Sequence, residues 1–325
     1  MLLGLTCIVA FTAASAVRPA VAGSQPPESA PRGTVRATPQ PVAAPTRLTV
    51  LARPAAAPAG RTELPRGGVT VFPRYRLVGY AGGPGTAAFG RLGVGNIDQR
   101  VAEIERLGRS YAAGRQVMPV LELIAVVAQR KPGKDGLYRV RVDAGVIRSY
   151  LDAARRHRAL LLLNVQPGRA DFLAEVKALE PWLSQPDVGL ALDPEWAVGP
   201  GQVPGRTFGS TTGAEVDAVA GYLQRLVAAD RLPQKVLVVH QLAVPIWRNP
   251  GGVKRHPGVV VIKSVDGIGS RAQKTETWNR LVAGLPPTLH PGFKLFFSED
   301  GGPRRLMTPP QVLALHPRPE YVLYE

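Results

Sequence analysis

Eight runs rich in Val, Leu and Ile recur along the chain, at residues 75–81, 117–127, 159–165, 188–193, 235–241, 258–265, 293–298 and 321–324. Their apolar positions are consecutive rather than alternating, which predicts strands buried on both faces, as in parallel sheets. Longer amphipathic segments rich in Ala, Arg and Glu lie between them, and these predict helices over 97–113, 144–157, 170–183, 214–229, 272–283 and 309–315. Asp143 and Thr308 stand where helix N-caps belong. The segment 244–254 carries two prolines and two glycines and is expected to be mostly loop. Eight strands joined by crossovers fit a single-domain α/β fold, a (β/α)8 TIM barrel over residues 69–325. No helix follows the eighth strand, so residues near 69–72 are expected to plug the bottom of the barrel.

The N-terminal pattern is different. Residues 1–23 combine an apolar run with the small-residue exits Ala14-Ser15-Ala16 and Ala20-Val21-Ala22, as a signal peptide does. The run is too short for a membrane span, so no transmembrane helix is expected in the mature form. Cys7, the only cysteine, lies inside this run, so the mature chain would hold neither disulfides nor zinc thiolates. It follows Leu5-Thr6 much as a lipoprotein cysteine would, but Gly4 replaces the expected leucine. Residues 24–68 are dominated by Pro, Ala, Arg, Thr and Gly and read as a disordered linker. A secreted or cell-envelope location follows from this leader and tether.

Charge narrows the partners. The chain has 40 Lys and Arg against 24 Asp and Glu, a net +16. Seven Arg against Glu28 and Glu63 account for +5 of that before residue 69, leaving +11 on the folded part. Such a surplus favours anionic surroundings, such as phosphate-rich envelope polymers. Nucleic acid is not expected, because the basic clusters at 155–158 and 304–305 are not interleaved with aromatics.

A barrel of this kind places its chemistry at the carboxyl ends of its strands. There the sequence offers Tyr80 before Gly82-Gly83, Asn164 and Gln166, Asp193-Pro194-Glu195-Trp196, His240, Asp266, and Glu299-Asp300. If strand four continued through them, Asp193 and Glu195 would project to one side. Two carboxyls sharing a partly dry pocket split into an acid and a base. Glu195, Asp193 and Asp266 are therefore the catalytic candidates. Asn164, Gln166, Trp196, His240 and Tyr80 are the substrate-binding candidates, with Trp196 a stacking surface for a sugar ring. Each has a plainer reading: the acids could cap the loop or pair with Arg169 or Arg206, His240 could be a core residue, and Glu299-Asp300 a turn. Glu122, in the middle of strand two, needs a partner, for which Lys263 and Lys294 are candidates. No dinucleotide fingerprint, Walker loop, His-x-x-x-His pair or nucleophile-elbow serine occurs, so neither cofactor nor metal is expected.

The Leu190-Ala191-Leu192-Asp193-Pro194-Glu195 stretch resembles the strand-four end of TIM-barrel glycoside hydrolases, and is similar to the Asp-x-Asp-x-Glu motif of the chitinase-like family 18. Ala191 and Pro194 depart from that motif, as does strand six, which lacks the family's Tyr-Asp pair. The resemblance implies that Glu195 is a proton donor and that Asp193 orients a 2-acetamido group. The expected function is a secreted carbohydrate-active hydrolase cleaving an envelope or extracellular polysaccharide. The alternatives are a non-catalytic cell-surface barrel binding a glycan or protein, and a metal-dependent phosphodiesterase using Asp193, Glu195, His240 and Asp266 as ligands.

Overall fold

A computed structural model describes residues 62–301 and 305–325. The signal peptide, Cys7 and nearly all of the linker lie outside the described residues. Eight parallel strands form the wall: β1 (Tyr75–Gly82), β2 (Gln116–Ala128), β4 (Leu160–Val165), β5 (Val188–Leu192), β7 (Lys235–Gln241), β9 (Val259–Val265), β10 (Leu289–Leu295) and β11 (Tyr321–Tyr324). Each pairs with the next, and β1 pairs with both β2 and β11, so the sheet closes into a barrel. Closure satisfies every ladder and leaves no open edge in the wall. Two short pieces are added. β3 (Arg139–Arg141) runs antiparallel to Val126–Ala128, where β2 overruns the barrel, and β6 (Thr211–Thr212) pairs with β8 (Trp247–Arg248).

Alternation along each strand divides the side chains into two cores. Outward residues such as Val78, Leu121, Leu163, Leu190 and Val239 pack under helices that include α1 (Ile97–Arg109), α2 (Ala144–Arg156), α5 (Gly213–Asp230) and α6 (Arg271–Val282). Inward residues, among them Leu77, Met118, Val120, Leu162, Val238 and Ile262, fill the lower barrel. Val71 and Leu64 enter this inner core from below, as the plug expected near residue 70. Gln234 secures it, its side chain accepting from the Val71 amide at 2.8 Å while its own amide donates to Val69.

Local chemistry explains the departures from the sequence pattern. The expected 170–183 helix is two pieces, α3 (Phe172–Ala178) and α4 (Glu180–Leu183), because Pro181 has no amide hydrogen to continue the first and instead starts the second. The seventh strand begins and ends earlier than its apolar run. Pro291 is tolerated because it lies opposite the approach to β11, where its carbonyl accepts from Glu320. The strand stops after Leu295, where the Phe296 amide turns to the Asp300 carboxylate at 2.9 Å. Segment 244–254 is two single-turn helices around β8, mostly loop as expected. Asp143 caps α2, accepting from Gly145 at 2.7 Å, and Gln311 bonds back to the Thr308 amide at the start of α7 (Pro309–Leu313). Among the described residues no helix is long and apolar enough to cross a membrane.

Candidate active site

Above the apolar inner core, the same inward parity turns polar. Glu122 of β2, Asn164 of β4, Asp193 after β5, His240 of β7, Ser264 of β9, Asp266 after it, Lys294 of β10 and Glu325 after β11 are all inward positions, and all but Glu325 are almost wholly buried. Only β1 adds no polar side chain, presenting Gly79 and Ala81 instead.

Glu122 is the hub. Its Oε1 receives Asn164 Nδ2 at 2.8 Å and lies 2.9 Å from His240 Nε2, while Tyr321 donates its hydroxyl to Oε2 at 2.5 Å. Burial pushes the Glu122 carboxyl up, but His240, Lys294 and Tyr321 outweigh it and hold it down at about 2. His240 is buried too, which favours its neutral form, yet Glu122 lifts it above the ordinary value and so favours imidazolium. Lys294 is the partner only through the field. Lys263 is not one: it points outward, with its ammonium 5.9 Å from the Trp247 ring.

The acids above this pair are less satisfied. Gln166 takes its place between two groups, accepting from the Ala128 amide at 3.2 Å and donating to Asp193 Oδ2 at 3.2 Å. Asp193 Oδ1, Glu195 Oε2, Asp266 Oδ1, Asn164 Oδ1, His240 Nδ1 and Ser264 Oγ are shut off from solvent with no hydrogen-bond partner. Buried polar atoms are rarely left so, and here six of them gather at the carboxyl end of the barrel. Burial raises Glu195 well above the usual carboxylate range, and the charges of Asp193 and Asp266 add to it. Burial likewise raises Asp266. Lys294 resists its own burial because Glu325, 2.6 Å away, Asp193, Asp266 and Glu122 surround it; it stays an ammonium.

The route by which Glu195 reaches this ring differs from the strand parity expected. β5 ends at Leu192, and Pro194–Trp196 form a single 3-10 turn, so Asp193 and Glu195 are not strand neighbours. The turn is stitched to its own loop, with Gly209 donating to the Glu195 carbonyl at 2.6 Å and Ser210 to Ala197 at 3.1 Å. Gly209 permits this, since a Cβ there would lie 2.0 Å from the Ala197 carbonyl. Neither acid is locked onto an arginine; Arg169 donates to Gln202 and covers the Tyr138 ring instead.

Asn164, Gln166, Asp193, Glu195, His240 and Asp266 are thus brought together. Trp196 is half-buried on the loop after β5, beside Gly205. Tyr80 is not at the site. It has outward parity and packs edge-on against Phe297 and Tyr324 at 5.9 and 6.2 Å, in the layer beneath α1. Asp300 is a turn residue, paired with Lys274 at 3.0 Å and accepting from the Gly269 and Phe296 amides, so it ties the loops after β9 and β10 together. Ser264, Tyr321 and Glu325 are site residues beyond the sequence candidates, although their two-residue spacing from Ile262 and Leu323 carries the signal.

Among the described residues no three His, Cys, Asp or Glu side chains gather so as to hold a metal ion. No protein-family model matches the chain, and no curated sequence does. Among solved structures, the crystal structure of a hyperthermophilic endo-β-1,4-glucanase in complex with substrate is similar over 77% of this chain and 87% of its own, at 8% identity and a TM-score of 0.37.

Proposed function

We propose that this barrel is a hydrolase of glycosidic bonds, with Glu195 as the general acid. One observation carries the reading: a carboxyl group with an unpartnered oxygen, pushed toward its protonated form by burial and by two neighbouring acids, at the carboxyl end of the barrel. Glycosidic cleavage needs a carboxylic acid that is still protonated near neutral pH to protonate the leaving oxygen. It also needs a second, ionised carboxylate. Asp193 is suited to that part, since Gln166 orients its Oδ2 and leaves Oδ1 open. Asp266 supplies field to Glu195 and, with Asn164 and Ser264, contacts for sugar hydroxyls. His240 is placed by Glu122 with Nδ1 free and 4.0 Å from Asp266. The substrate is proposed to be an envelope or extracellular polysaccharide, a setting supported by the apolar leader and Pro/Ala-rich tether of the sequence.

Glu195→Gln keeps shape and removes the proton. Its release of reducing sugar from cell-wall glycans should fall by about 10²–10⁴-fold. An unchanged rate with the same glycan would end the assignment.

A further inference from the structure

Where β2 overruns the barrel, the connection from β2 to β3 folds over a groove of about 470 Å³, lined by Gln129, Lys131, Lys134, Asp135, Arg139 and Arg141. The two arginines are fixed from beneath: Glu175, almost wholly buried, takes Arg139 at 2.8 Å and Arg141 at 2.8 and 3.1 Å, and Asp135 takes Arg139 at 2.6 Å. Those two carboxylates balance the two guanidinium groups. Lys131 and Lys134 are exposed and form neither an ion pair nor a hydrogen bond, so the groove keeps a surplus of two positive charges. It adjoins the acid ring. Ala128, the residue before Gln129, donates to Gln166, which donates in turn to Asp193.

We infer that this groove holds an anionic stretch of the same glycan whose bond lies in the ring, so that the substrate is a polyanionic polysaccharide. The inference rests on the hydrolase reading and names its substrate class. The two unbalanced lysine charges of the groove attract a negative polymer through water and are screened by salt. The acid ring does not cancel this attraction, because burial moves Glu195, Asp266 and Glu325 toward their neutral forms while Lys294 stays charged. A nucleic acid is the less fitting polyanion: Tyr138, the aromatic of this connection, already has the Arg169 guanidinium stacked on it, 4.1 Å from its centroid, and it does not line the groove.

The test uses the Glu195→Gln chain, which holds its ligand uncleaved, and compares polygalacturonate (carboxylate), poly(glycerol phosphate) (phosphate), uncharged dextran and single-stranded DNA at low and high salt. One of the two anionic polymers, the glycan polygalacturonate or the phosphate-bearing poly(glycerol phosphate), should bind at least about tenfold more tightly than dextran, and which one identifies the anion. Reversing both free charges with Lys131→Glu/Lys134→Glu should cost on the order of tenfold, by the scale of exposed charge pairs, and the Gln/Gln pair less. Both lysines are exposed, so folding should be unaffected, as circular dichroism would report. Equal affinity for dextran, tightest binding to DNA, or indifference to the lysine variants would each overturn the inference. Salt-sensitive glycan binding in a wild-type protein that releases no reducing sugar would refute the hydrolase reading alone.

Discussion

The lower and upper halves of the barrel interior are built from the same strands at the same parity, yet they differ in kind. Below Glu122 the inward side chains are mainly Leu, Val, Met and Ile, closed off from water and plugged by Val71. Above it they are acids, an amide, an imidazole and an ammonium, several with atoms that bond to nothing. Burying apolar surface contributes about 25 cal/mol per Å², whereas burying unpaired polar atoms costs free energy. The lower half therefore stabilises the molecule and the upper half spends part of that stability. A scaffold can hold strained acids only if something else holds the scaffold.

Removing the strain should break the contrast most visibly. Glu195 and Asp266 have pKa values raised above 4.5 and 3.8. Between those values and the folded ones, the native state keeps protons that the unfolded chain has released, so stability falls as pH rises through that window. Glu195→Gln does not titrate. It should lose hydrolysis by the 10²–10⁴-fold given above while raising the melting temperature at pH 7, and calorimetry showing a lower one would contradict the account of a strained acid.

Next in size is the hub that separates the halves. Glu122→Ala strands His240, Asn164 and Tyr321 without their acceptor and should destabilise by about 3–5 kcal/mol, the usual result of breaking a buried pair, in a urea titration. Because Glu122 titrates at about 2 in the folded state against 4.5, its contribution is present above pH 4.5 and lost as pH falls toward 2. Leu162→Ala, in the lower core, should cost about 2–5 kcal/mol and leave kcat per folded molecule unchanged. A drop in kcat at full folding would mean that the two halves are not separable.

The smallest effect concerns Lys235, at the start of β7, whose ammonium donates to the carbonyls of Gln185 and Val188. Burial lowers it to about 7 from 10.5, so in that interval the unfolded chain binds a proton that the folded one lacks and stability rises with pH. Lys235→Met should remove up to about 1.4 kcal/mol per pH unit of that slope in melts at pH 7.5 to 9.5.

Much of this was legible in the sequence, because a parallel strand buried on both faces leaves an uninterrupted apolar run. Seven of the eight strands follow such runs closely. The eighth case, β10, was misframed by Pro291-Gly292, which reads as a turn unless one knows that β11 has not yet begun beside it. Lys294 still lay inside the expected run, as a candidate partner of Glu122. The candidates Asn164, Gln166, His240 and Asp266 were visible as polar residues ending apolar runs. Which side they face, and that Tyr80 faces the other way, depended on register. Strand spacing would set Asp193 and Glu195 side by side, but Pro194 starts a turn, so their meeting place is set by loop hydrogen bonds that no spacing rule encodes.

The Asp300 carboxylate has a consequence for how the rim moves. One side chain grips the backbone of two successive loops and the ammonium on α6 between them. The segments bearing Asp266 and following Lys294 are therefore clamped as one rigid jaw. A lesion at this single clasp would slacken both segments together.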